Sequence, residues 1–227
     1  MRNFLFYSAL LISGFIVAQT DQPDRFVIEK GTWNVTGSVS LRSNSIDNEG
    51  ESFSNANDFN SFSFNPLVGY ALSNNFIVGL GLGYSRGVNE DANTDVDGVT
   101  TEFESETTTY SIFPYARKFF SVSPNFAFFL QGEARYNTIS NESDRTFGDT
   151  VTNSSSEGDS WFFGIRPGVT YFVSKRFALE ANLGTLGYTT SDTENSNSSG
   201  ATTESDVSQF AFELNASNLL FGLSYYF

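Results

Sequence analysis

Through most of the chain, apolar and polar residues alternate with a period of two, which is the signature of β-strands with two unlike faces. Trp33, Val35, Gly37, Val39 and Leu41 alternate with Asn34, Thr36, Ser38, Ser40 and Arg42. A second strand, about 59–72, sets Phe62, Phe64, Pro66, Val68 and Tyr70 against Ser61, Ser63, Asn65, Leu67 and Gly69. Pro66 cannot donate to a ladder, so a bulge is expected there. The third strand opposes Phe76, Val78, Leu80, Leu82 and Tyr84 to Gly79, Gly81 and Gly83. In the fourth, 108–119, Ile112, Pro114 and Ala116 face away from Ser111, Phe113, Tyr115 and Arg117, the weakest alternation of the set. The fifth, 126–138, separates Phe128, Leu130, Ala134 and Tyr136 from Phe129, Gln131, Glu133 and Arg135. The sixth, 160–172, separates Trp161, Phe163, Ile165 and Tyr171 from Phe162, Gly164, Arg166 and Gly168. In the seventh, 177–188, Phe177 and Leu179 oppose Glu180 and Asn182, and the phase slips near Gly184. The eighth covers 207–227, either whole or interrupted around Asn215, and its last face is Leu219, Phe221, Leu223, Tyr225 and Phe227.

The connections alternate in length. Short turns fall at 73–75, 121–125 and 174–175, and long acidic loops are expected near 43–58, 87–107, 139–159 and 190–206. Twenty of the 26 acidic residues lie in those four segments, while Lys118, Lys175 and Arg176 sit near the short turns. Outer-membrane barrels show the same asymmetry of short turns and long loops. The first residues read as a leader: Arg2, then an apolar run from Phe4 to Val17, then a cleavage position before Gln19. The expected organisation is a signal peptide at 1–18, a periplasmic lead-in at 19–31 and a barrel over 32–227.

Composition narrows the function classes. A net charge of −14 argues against nucleic acid. The absence of Cys excludes disulfides and thiolate metal sites, and the absence of His excludes Ser-His-Asp chemistry. The chain carries 25 Phe and 10 Tyr with only 17% charged residues, a balance that suits aromatics facing lipid. Alternation does not by itself say which face points outward, because a soluble ligand-binding barrel has the same period. Two features favour lipid outside. The less apolar face is rich in Gly, Ser and Asn, as a crowded bore requires. Aromatics also mark both ends of the strands: Trp33, Tyr70, Phe119, Tyr171 and Tyr225 at one, Tyr84, Tyr110, Tyr136, Trp161 and Tyr188 at the other.

Lys30-Gly31-Thr32-Trp33, Pro114-Tyr115-Ala116-Arg117, Ile165-Arg166-Pro167-Gly168 and the closing Phe-Gly-Leu-Ser-Tyr-Tyr-Phe227 resemble small outer-membrane β-barrel domain proteins of the porin-like superfamily, above all those of Bacteroidetes-type bacteria. The resemblance spans the mature chain and implies an all-β, eight-stranded, antiparallel up-and-down transmembrane barrel in a Gram-negative outer membrane. It implies little about activity. The ending through Leu223, Tyr225 and Phe227 resembles the signal read by the barrel assembly machinery.

The inward-facing charges, Arg117, Glu133, Arg135, Arg166 and Glu180, are expected to pair, since an unpaired ion in a filled bore is costly. They read as an ionic plug. The expected role is structural or surface-interactive, in a monomer that meets membrane lipids and lipopolysaccharide and that neither catalyses a reaction nor binds a cofactor. Two alternatives stay open: a narrow pore for ions or small solutes, and a soluble periplasmic ligand-binding barrel. The stretch Asp91-Ala-Asn93-Thr-Asp95-Val-Asp97-Gly98, with Glu102, has oxygen ligands at alternate positions like a calcium loop. Val96 stands where that motif needs Gly, so a solvated acidic loop is the expected reading and no metal site is assigned.

Overall fold

The structure is a computed structural model that describes residues 27–50, 53–95, 98–197, 202–214 and 220–227. The expected leader, most of the lead-in and the possible interruption at Asn215 lie outside the described residues. The strands are β1 (Trp33–Gly50), β2 (Phe53–Ser73), β3 (Phe76–Thr94), β4 (Thr100–Ser121), β5 (Phe126–Phe147), β6 (Thr150–Phe172), β7 (Phe177–Asn182), β8 (Gly184–Asn197), β9 (Thr202–Leu214) and β10 (Leu220–Tyr226). Every pairing is antiparallel, and β1 pairs with β2 on one side and β10 on the other, so the sheet closes on itself. β7 and β8 share one position of the ring, and β9 and β10 share the next, which makes an eight-stranded up-and-down barrel. Among the described residues, β9 pairs with β8 alone, and β1 beyond Val39 pairs with β2 alone.

One register break lies beside a proline and another does not. Gly168↔Asn182 gives way to Ile165↔Leu186, a register change of one residue that leaves Leu183 between β7 and β8. The Leu183 amide donates to the Pro167 carbonyl at 2.9 Å, and Pro167 has no N–H to return the bond. The bulge expected at Pro66 is absent. Phe64↔Tyr84 and Leu67↔Gly81 keep one register across it, and the irregularity lies between Ala71 and Ser73. The barrel wall there tolerates a missing donor without an inserted residue.

The four segments expected to be long loops are largely strand. β1 and β2 stay paired out to Gly50↔Phe53, β3 and β4 to Thr94↔Thr100, β5 and β6 to Phe147↔Thr150, and β8 and β9 to Ser196↔Thr202. The period of two persists in these segments with polar residues on both faces. Glu102, Glu104 and Glu106 alternate with Thr101, Phe103 and Ser105. Ladder hydrogen bonds and cross-strand amide and hydroxyl pairs, such as Asn57 with Asn89 and Asn141 with Thr107, hold such strands without an apolar face.

Outside and inside are unambiguous over the turn-end half. Leu80, Phe163 and Leu223 are 50–58% exposed on the outer wall, whereas Glu133 is 7% exposed in the bore. Aromatics gather at two levels of the outer wall. Trp33 meets Tyr70 at 5.0 Å and Phe177 meets Tyr225 at 4.8 Å near the turns; Tyr84 meets Tyr110 at 5.4 Å and Tyr136 meets Trp161 at 5.0 Å higher up. Phe119 does not belong to the outer ring. It is buried in the bore, and its neighbour Phe120 faces outward. From Trp161 to Tyr171 is ten residues, or about 33 Å of strand; at a tilt of about 40° this spans about 25 Å, the height of a lipid-facing band.

Candidate functional site

The bore is filled in two layers. At the turn end seven of the eight ring positions contribute an apolar inward residue, with small and large mixed: Ala71, Ile77, Phe119, Ala127, Phe172, Ala178 and Tyr226 are all nearly inaccessible. Mixing of sizes is how side chains fit a narrow taper. Ile28, just before β1, is buried with them and seals the end from below. The Ile28 amide donates to Asn75 Oδ1 at 2.8 Å and its carbonyl accepts from the Asn75 amide at 2.9 Å. Asn75 makes both bonds from the tight β2–β3 turn, where it adopts φ 59°. The described end of the lead-in thus packs against the inner apolar layer at the turn end.

Above this layer lies an ionic one. Arg117 Nη1 donates to Glu180 Oε2 at 2.7 Å, and its Nε and Nη2 both donate to Gln131 Oε1. Glu180 Oε1 accepts from Ser224 at 2.6 Å and from the Tyr226 hydroxyl at 3.3 Å. Glu133 Oε1 accepts from Arg135 Nε at 3.0 Å and from Arg166 Nε at 2.9 Å, while its Oε2 accepts from Gln131 at 2.7 Å. Gln131 thus joins the two ion groups into one network across β4, β5, β6, β7 and β10. All five charged residues picked out from the sequence point into the bore and meet there. Gln131 is the bridge between them.

Each guanidinium also lies on an inward phenylalanine. Arg135 sits 3.8 Å from the Phe113 ring centre, Arg117 4.4 Å from Phe129 and Arg166 5.2 Å from Phe162. These are cation–π distances. The rings in turn press against glycines. A Cβ on Gly81 would meet Phe113 at 2.2 Å, one on Gly168 would meet Phe129 at 2.1 Å, and one on Gly164 would meet Phe162 at 2.3 Å. The small-residue face of β3 and β6 exists to admit aromatic faces, which then carry arginine. A cavity of about 220 Å³ remains beside the network, lined by Arg135, Arg166, Glu133, Asn65 and Ser38 among others.

Beyond the upper aromatic level the two faces change character. Inside, Asn, Ser and Thr bond one another, as in Asn141 with Ser105 and Ser143 with Ser105. Outside, carboxylates stand side by side: Glu157↔Glu194↔Glu204 in one row and Asp159↔Asp192↔Asp206 in the next. Another row is Asp58↔Glu90↔Glu104↔Asp144. The stretch that resembles a calcium loop is part of the β3–β4 hairpin. Asp91 pairs across from Phe103 and Ala92 from Glu102, so Asp91 and Glu102 lie on opposite faces and cannot share an ion. Among the described residues, no group of His, Cys, Asp and Glu side chains is placed to hold a metal.

Residues 7–227 match the model of the outer membrane protein beta-barrel domain. The chain belongs to that family. It is an outer-membrane protein, and its apolar outer wall faces lipid. Its fold resembles OprG from Pseudomonas aeruginosa (12% identity, 88% of this chain and 97% of that one, TM-score 0.48). It also resembles a major outer membrane protein from Thermus thermophilus (12% identity, 87% and 99%, TM-score 0.40). A comparison with curated proteins gives no match. The family membership fixes location and architecture and leaves the role to the bore and the hairpin end. The closing residues of this family member lie on the outer wall: Leu223 and Phe227 are exposed, and Tyr225 stacks against Phe227 at 5.9 Å.

Proposed function

We propose that the protein is a non-conducting outer-membrane barrel whose role is structural or lies in surface interactions at the hairpin end, which faces the cell exterior. The observation that carries this reading is the turn-end layer, where Ala71, Ile77 and Ala178 are 0% exposed and Phe119, Phe172 and Tyr226 no more than 3%. Side chains this inaccessible support a closed bore, and the ionic network lies directly on them. The orientation is supported by the lead-in and Phe227 meeting at the turn end, where Trp33 and Phe227 exchange two backbone bonds of 2.9 Å.

In this reading the chain has no catalytic role and no cofactor. The bore carboxylates are engaged in ion pairs and there is no His. A monomer suffices in this reading, because β1 closes on β10 over Asn34–Val39 at the turn end. The outer carboxylate rows begin just above the upper aromatics, at the height of the lipid headgroups, so contact with anionic lipopolysaccharide runs through divalent cations. Leu223, Tyr225 and Phe227 present the aromatic strand end by which the assembly machinery would take the chain. Planar-bilayer recording tests the reading: purified protein should give no stable openings. Steady unitary currents that survive further purification would favour the narrow pore instead.

A further inference from the structure

We infer that the cavity beside the ionic network is a binding cup for a small oxyanion, a phosphate-sized ion or short carboxylate, entered from the hairpin end. The inference rests on the turn end being sealed, and it begins with a charge count. Arg117 has Glu180 as its own partner. Arg135 and Arg166 share one carboxylate oxygen, Glu133 Oε1, so two guanidiniums face a single negative charge. The excess positive charge sits at the cavity wall and is not buried out of reach. The Arg135 and Arg166 side chains are 16% and 21% exposed, against 0% for Glu133 and 3% for Arg117.

Donor geometry points the same way. Arg135 gives Nε to Glu133 and reaches Asn65 Oδ1 only at a long 3.4 Å, and Arg166 gives Nε to Glu133 and Nη1 to Thr185 at 3.0 Å. Neither Nη2 has a hydrogen-bond partner among the described residues, and a guanidinium carries five donors in a planar fork suited to oxyanions. Both forks are held rigid by stacking on Phe113 and Phe162, so little ordering is needed on binding. Two carboxylates outside the network share the inner face: Asp91, farther toward the hairpin end and bonded by Asn89, and Glu213. Glu213 stands opposite Thr185 on β9 and is exposed. The outer carboxylate rows lie across the wall and act only as a diffuse repulsive field, which keeps the affinity in the weak, millimolar class.

The test is a titration of the refolded, ¹⁵N-labelled full barrel in detergent micelles, reading arginine Nε–Hε signals by NMR. Sodium phosphate and sodium acetate are added in separate arms, with sodium chloride at matched ionic strength as the control. Saturable shifts at Arg135 and Arg166, absent at the exposed Arg86, are expected. Stronger saturation by phosphate identifies a phosphate-bearing ligand, and stronger saturation by acetate a carboxylate. Arg166→Gln should weaken binding about tenfold or more. If that variant does not fold, Arg166→Lys keeps the charge, loses the fork and should still bind more weakly. Glu213→Gln, outside the network, should tighten binding. Shifts that stay linear, that move all arginines alike or that are unchanged in these variants overturn the inference. Conductance of the same preparation would sink the sealed bore while leaving saturable shifts standing, so the two failures are distinguishable.

Discussion

The turn-end and hairpin-end halves of this barrel run on the same strands and the same period of two, with inverted chemistry. Below the Tyr84–Tyr110 and Tyr136–Trp161 level the wall is apolar outside and ionic, aromatic and glycine-rich inside. Above it the wall is acidic outside and lined with amides and hydroxyls inside. The contrast follows the solvent. In lipid every backbone group must find its partner within the wall, and a charge outside is expensive. In water the ladder alone holds the strand, and charge outside keeps the free edges of β1 and β9 from pairing with other chains.

The largest expected effect comes from the network. Glu133→Gln removes the one carboxylate that Arg135 and Arg166 share, leaving two confined guanidiniums without a counter-ion. Loss of a buried partner costs about 3–5 kcal/mol, so unfolding in lipid vesicles, followed by urea titration and gel mobility, should move by that amount. A shift under 1 kcal/mol would mean that the network is not closed in the membrane (about the size of an ordinary surface change). The next prediction sets the halves against each other. Leu80→Arg places a charge at mid-height of the lipid band and should cost about 2–4 kcal/mol, whereas Val151→Arg on the hairpin outer wall should stay within about 0.5 kcal/mol. Equal costs would erase the distinction between the halves.

The smallest effect is a pH dependence in the hairpin half. Arg86 donates to both carboxylate oxygens of Glu106, at 2.5 and 2.6 Å. That hydrogen bonding, with the Arg86 charge, holds the Glu106 carboxyl below its ordinary range against the opposing effect of desolvation. A lowered folded value stabilises above the ordinary carboxylate pKa and is lost as pH falls through the folded one. Wild type and Glu106→Gln should therefore differ slightly at neutral pH and converge in acid. Both side chains are well exposed, so the difference is small and shrinks in salt. A gap that widens in acid would contradict the pairing.

How far these features can be read in the sequence depends on what each rests on. The spanning strands show as apolar–polar alternation, and Arg117, Glu133, Arg135, Arg166 and Glu180 fall on the inner face by parity alone. Their pairings do not show, because they depend on stagger between strands as distant as β4 and β7. Phe119 shares the parity of Arg117, so the alternation itself places it in the bore; only its aromatic ring at the strand end suggests the outer girdle. The hairpin extensions are hidden for a different reason: Glu102, Glu104 and Glu106 alternate with Thr101, Phe103 and Ser105 without forming an apolar face. Acids at every second position are the available clue. The packing of Ile28 shows only as the apolar run Phe26-Val27-Ile28 in an otherwise polar lead-in, which does not say that any of it enters the bore.

The central claim is one continuous wall whose outer face passes from lipid to water at a fixed level, and spin-label accessibility measures that directly. The chain has no native Cys, so single Cys substitutions along β6 from 151 to 171 can each carry a nitroxide. Odd positions from 161 to 171 should be reached by oxygen and not by a water-soluble nickel reagent, odd positions from 151 to 159 by the nickel reagent, and positions 168 and 170, below the cup, by neither. Uniform accessibility to both reagents from 151 to 159 would return that segment to a loop, and oxygen accessibility at 168 and 170 would turn the barrel inside out.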